Sequence, residues 1–226
     1  MSDDKKVSRL YMTIGIIFVT CLVLSNTVAG KMWAVTDGIT LPGAVILFPI
    51  TYILADIFTE VYGFKKARFI IWTGFGCSFF AVLVYIITIA LPYPAFFENQ
   101  DAYKTVLGTT LRVAIASFAG YLFGEFSNSI IMSKLKVVTK GKNLWIRTIF
   151  STIVGEGFDS VIFITISFWG TMENREVLKM ILFQYLFKVL YEAIFTPVTY
   201  LVVKWVKNKE GIDTFDYNEK YNPIKG

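Results

Sequence analysis

Six apolar runs, each close to the length that crosses a bilayer, constrain this chain more than any other feature. They lie at about 10–30, 41–61, 68–91, 110–133, 146–169 and 180–206. A helix needs about 20 mostly apolar residues to span the hydrocarbon core. There the backbone must satisfy its own hydrogen bonds, so each run is expected to be helical. The expected fold is all-α, a polytopic six-helix transmembrane bundle. With 55% hydrophobic and 17% charged residues, the chain lacks the polar surface that a soluble domain of 226 residues needs. Residues 1–209 are expected to form one six-span transmembrane domain, and 210–226 a polar cytoplasmic tail with little order. The start carries Asp3 and Asp4, and no small-residue cleavage site follows the first run, so that run reads as a retained helix.

Charge alternates along the connections. Lys5, Lys6 and Arg9 precede the first run, and Lys65, Lys66 and Arg68 separate the second from the third. Lys134, Lys136, Lys140, Lys142 and Arg147 lie between the fourth and fifth, and Lys204, Lys207 and Lys209 end the sixth. The intervening loops are poorer in cations: Lys31 with Asp37, then Glu98, Asp101 and Lys104, then Glu173, Arg175, Glu176 and Lys179. The positive-inside rule puts both termini in the cytoplasm, which requires an even number of crossings. The net charge of +5 is then a topology signal facing anionic lipid, with no nucleic-acid partner implied. Arg147 is expected to anchor the inner interface with local ion pairs rather than touch a substrate. The apolar third loop, from Pro92, is expected to lie on or dip into the outer face.

Several chemistries are disfavoured. Histidine is absent, and Cys21 and Cys77 both lie in apolar runs with no disulfide or metal spacing. Neither a metal nor another cofactor is expected. There is no Gly-x-Ser-x-Gly, and Gly155-Glu-Gly-Phe-Asp159 is offset by one residue from an intramembrane aspartyl protease motif, so no enzyme is expected.

Polar residues inside the runs carry the functional signal. They are Asp56 and Glu60; Glu125 and Asn128; Glu156 and Asp159; and Gln184, Lys188 and Glu192. Each ion near the centre of a lipid-facing helix costs roughly 2.5–3.5 kcal/mol. Six such acids and a lysine facing lipid would cost on the order of 15–20 kcal/mol, more than a typical domain's stability. They must face one another, a wet cavity or a ligand. Spacings of three or four residues put each set on one helix face. Lys188 with Glu192 could be an intrahelical pair, but one lysine cannot neutralise six acids. The remainder need protons or a cationic or multi-donor partner. Gly124-Glu-Phe-Ser-Asn-Ser129 and Gly155-Glu-Gly-Phe-Asp-Ser160 share the pattern Gly-Glu-x-x-(Asn/Asp)-Ser on helices of opposite direction. Internal repeats around a midplane site are a recurrent transporter design. Carboxylates accept hydrogen bonds only, so a flat, donor-rich ring of guanine type or an organic cation would suit them. Phe126, Phe158, Tyr191 and Phe195 are candidates to stack on a ring.

Three segments resemble a known family: Ala55-Asp-Ile-Phe-Thr-Glu-Val-Tyr-Gly63 with the basic residues after it, Ala116-Ser117 with 124–129, and Arg147-Thr148 through Phe163. Together they are similar to the queuosine precursor transporter family, also called the vitamin uptake transporter family. The resemblance implies a bacterial cell-membrane importer of 7-deazaguanines, the cyano or aminomethyl precursors or queuine, for tRNA modification. Family members commonly carry Gln where this chain has Glu125 and Glu156, and Asp where it has Asn128, so the substrate subtype is open. The alternative is the binding subunit of an energy-coupling-factor vitamin transporter, with a partner ATPase, since no phosphate-binding loop occurs here. Asp56, Glu125, Asn128, Glu156, Asp159 and Glu192 are the expected substrate-site residues. Glu60, Gln184 and Lys188 are expected in gating or proton coupling. A homodimer and an energising partner are both compatible with the sequence.

Overall fold

The computed structural model describes residues 8–29, 31–36, 39–108, 111–171 and 173–224. Helix α1 (Arg9–Val28) starts under a cap in which the Ser8 side chain accepts from the Tyr11 amide. A hairpin of β1 (Met32–Thr36) and β2 (Ile39–Pro42) follows, paired antiparallel from Met32 opposite Pro42. A 3-10 turn (Gly43–Ile46) leads into α2 (Phe48–Tyr62), then α3 (Phe64–Ala90) and the short α4 (Gln100–Leu107). Helices α5 (Leu111–Val138), α6 (Leu144–Phe168) and α7 (Asn174–Glu210) complete the bundle.

Among the described residues, five stretches are long and apolar enough to cross a membrane: α1, α3, the stretch containing α5, α6 and α7. The sixth expected crossing is built differently. Its first residues belong to the hairpin, and α2 has only 15 helical residues. The segment still runs the length of the bundle. At one end the Gly43 amide donates to the Lys31 carbonyl (2.6 Å), just beyond the end of α1. At the other, Tyr62 packs edge-on against Tyr11 (4.9 Å) near the start of α1. Residues 43–62 therefore lie antiparallel to α1 over its whole length, and the chain passes the bundle six times. The fold is an all-α polytopic bundle with a small hairpin at one end. Exposed Phe69, Phe80, Ile87, Leu190, Ile194 and Leu201 cover its outer faces, as a lipid solvent requires.

The start of α1 and the segment after α7 lie at the same end of the bundle. The Tyr11 hydroxyl donates to the Lys66 carbonyl (3.1 Å), and the Thr214 amide donates to the Val61 carbonyl (3.1 Å). Between α2 and α3 the chain turns on one residue, Gly63, at φ 83°. A side chain there would be strained, and its Cβ would lie 2.8 Å from Thr214 Cγ2 and 2.9 Å from Asp216 Oδ1. The Phe64 amide donates to Asp216 Oδ2 (2.9 Å), so a tail carboxylate sits on the positive end of α3.

That contact overturns the expectation of a tail with little order. Ser133 Oγ donates to the same Asp216 oxygen, Arg68 donates to the Asn222 carbonyl (2.8 Å), and Trp72 Nε1 donates to the Pro223 carbonyl (2.7 Å). Ile212 packs on a core built around Phe18, Ile57, Phe58 and Val206. A polar composition suggested a solvated segment, but its polar groups find partners on the helix ends instead. The third loop forms α4 at the opposite end, tied on by Gln100 Nε2 donating to the Ile89 carbonyl (2.8 Å).

Candidate functional site

The repeated Gly-Glu-x-x-(Asn/Asp)-Ser pattern marks the place where α5 and α6 touch. A Cβ on Gly124 would lie 3.0 Å from Asp159 Cβ and 3.1 Å from the Gly155 carbonyl oxygen. One on Gly155 would lie 2.9 Å from both Asn128 Cβ and the Gly124 carbonyl oxygen. Each glycine thus receives the Asn/Asp of the other copy, a local two-fold relation between antiparallel helices. Glycine permits the close approach, as at small-residue interfaces in membranes.

The crossing brings Glu125 and Glu156 to one cavity. It has a volume of ≈ 950 Å³, and Asp159, Gln184 and Lys188 line it as well. Its lining runs out to Thr27, Pro42, Gly108, Glu176 and Lys179, at the end of the bundle opposite the start of α1. A space of this size matches a small-molecule pocket.

Lys188, 3% exposed, reaches across to α6. Its Nζ lies 2.6 Å from Glu156 Oε2 and 2.5 Å from Asp159 Oδ2. Among the described residues its ion pairs are with these two acids of α6, across the helix boundary, rather than with Glu192 one turn further along α7. A lysine four residues before a glutamate is the poorer helical order. Two charge-assisted contacts across the helix boundary outweigh it. Glu125 makes no ion pair among the described residues, and its buried Oε2 has no hydrogen-bond partner.

Asp56, Asn128 and Glu192 do not line the cavity. They lie below its floor, with Asp56 1% and Glu192 2% exposed. Asn128 hydrogen-bonds Asp56, while Asp56 Oδ2, Asn128 Oδ1 and Glu192 Oε1 are buried without partners. Glu60 is further away still, in an ion cluster at the basic end. Arg147 grips it through Nε to Oε2 (3.1 Å) and an Nη to Oε1 (2.8 Å), and Lys207 Nζ lies 2.7 Å from Oε1. Lys136 joins through the Glu60 carbonyl and the Asp213 carboxylate. Arg147, at the basic end, is ion-paired and does not line the cavity; it is 1% exposed because a buried carboxylate from α2 holds it inside the bundle. The nine expected residues thus separate into a cavity set, a layer beneath it, and Glu60 at the basic end.

None of the expected stacking residues lines the cavity. Phe126 packs with Phe64 and Ile71, Phe158 is exposed on the outer face, and Tyr191 stacks on Phe195 (4.5 Å). Rings that do line it include Phe18, Tyr52, Tyr121 and Phe163. Tyr52 faces Glu156 with its hydroxyl. It lies four residues before Asp56 and eight before Glu60, so the same helical spacing could have found it. Asn26 and Ser117 bond to each other in the wall (3.1 Å); α1 offered no charge to draw attention to the first.

A six-pass bundle around a largely apolar cavity that ends on acids and a lysine suits a carrier. Residues 42–202 match the family model described as "Putative vitamin uptake transporter". The chain belongs to this vitamin uptake transporter family. It is 27% identical over 176 residues, 76% of each chain, to the "Probable queuosine precursor transporter" of Bacillus subtilis (strain 168). It is 25% identical over 151 residues, 66% of each chain, to the "Queuosine precursor transporter" of Escherichia coli (strain K12). To the "Probable queuosine precursor transporter" of Haemophilus influenzae (strain ATCC 51907 / DSM 11121 / KW20 / Rd) it is 28% identical over 131 residues, 57% of this chain and 52% of that one. No solved structure matches. The vitamin uptake transporter match runs from α2 into α7 and covers every acidic residue of the cavity. It leaves out α1, the hairpin and the tail, so the strap across the basic end lies beyond the family region. As a family member with five long apolar helices, the protein is a multi-pass membrane protein.

Proposed function

We propose that this protein imports queuosine precursors, 7-deazaguanines, through the cavity between α5, α6 and α7. The observation that carries the reading is the cavity ending on Glu125, Glu156 and Asp159 at mid-bundle, in a chain whose relatives bear that transporter name. A guanine-like ring presents a row of N–H donors, and these carboxylates are acceptors. Phe18, Tyr121 and Phe163 supply apolar wall for its faces.

Basic loops, the start of α1 and the segment after α7 share one end of the bundle, so that end faces the cytoplasm by the positive-inside rule. The lining of the cavity then reaches toward the outer face. On the inner side, the aromatic core and the Glu60–Arg147 cluster close the route. Import requires the α5–α6 site to exchange access from the outer face for access from the basic end, a rearrangement typical of carriers. Asp56, Asn128 and Glu192, buried between the cavity floor and that cluster, are placed to sense the exchange.

The test uses a strain that must import precursors to modify its tRNA, expressing wild-type chain, Glu125→Gln or Asp159→Ala. Restored modification with wild type, lost in both membrane-inserted variants, supports substrate and site together. Modification by all three at equal level moves the site elsewhere. No modification by well-expressed wild type rejects the substrate class.

A further inference from the structure

We propose that Lys188 is a tethered counter-cation filling the Glu156–Asp159 half of the site, so that Glu125 receives the substrate's positive charge. The site thereby selects a flat ring carrying an ammonium group over a neutral ring of the same shape. This inference rests on the functional reading above and deepens it.

Besides Glu176 near the outer end, three carboxylates line the cavity at mid-bundle, Glu125, Glu156 and Asp159, and they are not equivalent. Glu156 and Asp159 share the Lys188 ammonium at 2.6 and 2.5 Å. Tyr52 adds a hydroxyl on the Glu156 side. Those two acids already hold a cation supplied by the protein. Glu125, contributed by the other copy of the repeated motif, holds none. Its Oε2 is shut from solvent with no hydrogen-bond partner among the described residues. Beneath the floor stand two further carboxyl groups, Asp56 and Glu192, each with one unpartnered oxygen. Lys188 contacts neither of these, so the acids around the floor outnumber the one lysine that serves them.

A buried carboxylate without a partner is costly, and a cation is the partner that relieves it best. A neutral ring can offer N–H donors to Glu125. An ammonium on the same ring adds a charge-assisted bond, roughly twice as strong as a neutral one. Lys188 tunes this preference. While it occupies Glu156 and Asp159, the site has room for one more positive charge near Glu125. Without it the site would hold more negative charge and favour cations further.

The experiment measures equilibrium binding of aminomethyl and cyano 7-deazaguanine to the purified full-length protein in lipid nanodiscs. Wild type is expected to prefer the aminomethyl form by about tenfold or more, the worth of one hydrogen bond to a charged group. In Glu125→Gln the preference falls to near parity, mainly through weaker aminomethyl binding. In Lys188→Met the preference for the aminomethyl ligand rises instead. Opposite shifts in the two variants are a result that general damage to the fold would not produce. If Glu125→Gln does not fold, the direction of the Lys188→Met shift decides alone. Binding of both ligands with a ratio that neither variant changes overturns the inference and leaves the functional reading standing. Failure of folded wild type to bind either ligand rejects the functional reading itself.

Discussion

Glu60 is fully buried, yet it meets three cations: Arg147 and Lys207 at hydrogen-bond distance and Lys136 at 3.7 Å. Two hydrogen bonds from Arg147 hold the carboxylate in the planar fork that guanidinium favours. The cluster joins α2, α5, α6 and α7 at the basic end. Such a group gains little over a well-packed apolar core, but removing one partner strands the rest. Glu60→Gln keeps the shape and removes the buried anion, leaving Arg147 without its carboxylate and Lys136 and Lys207 to share Asp213. It is expected to destabilise the protein by about 3–5 kcal/mol, read as a lower midpoint of thermal unfolding in detergent. Spacing placed Glu60 on the same helix face as Asp56, and the face was right. Which layer each residue occupies was not legible, because helical spacing gives direction around an axis and says little about what neighbouring helices bring to each depth.

Between α5 and α6 the determining contact is made by glycines. Alanine is the better helix former by about 1 kcal/mol, so propensity alone favours Gly155→Ala. The added methyl would lie 2.9 Å from Asn128 Cβ and from the Gly124 carbonyl oxygen, and backbone cannot yield as a side-chain tip can. The substitution is expected to cost about 1–3 kcal/mol as overpacking and to part Glu125 from Glu156. Thermal unfolding should show the first effect, and weakened ligand binding in the folded fraction the second. The repeated six-residue pattern was visible in sequence, but its meaning as a two-fold helix crossing depended on which helices pack. Element by element, the apolar runs foretold α1, α3, α5, α6 and α7. The second run was foretold as a plain helix, whereas it contributes a hairpin strand, a 3-10 turn and α2. Hydropathy measures how apolar a stretch is, and strand, turn and helix can be equally apolar.

Across the whole molecule, the tail is the part most at odds with its composition. It carries Asp213, whose carboxyl is pushed up by burial, but hydrogen bonds from Lys136 and Lys207 outweigh this and hold it below the usual aspartate range. A depressed folded value means that the contribution is present above the ordinary aspartate range and is lost as pH falls through the depressed value. The strap formed by 212–223 is therefore expected to stay protected from hydrogen exchange at neutral pH and to loosen only in acid. Asp213→Asn should show that loosening at neutral pH. The effect is modest, since Asp213 is about half exposed and solvent screens its ion pairs. Protection that is the same in both proteins across the acid range would mean that Asp216 and the backbone bonds hold the strap without Asp213.

The amino-acid sequence by itself determined that this chain lives in a membrane, how many times it passes, and that the acids on four helices must be turned away from lipid. These follow from the bilayer, which forbids unpaired backbone and exposed charge and so acts on every residue in the same way wherever its neighbours lie. Tertiary structure alone decided the partners: Lys188 with Glu156 and Asp159, Arg147 with Glu60, Asp216 on the start of α3. Those choices depend on distances of a few ångströms between residues far apart in the chain. Coulomb and hydrogen-bond energies change steeply over such distances, and no pattern along one helix encodes them.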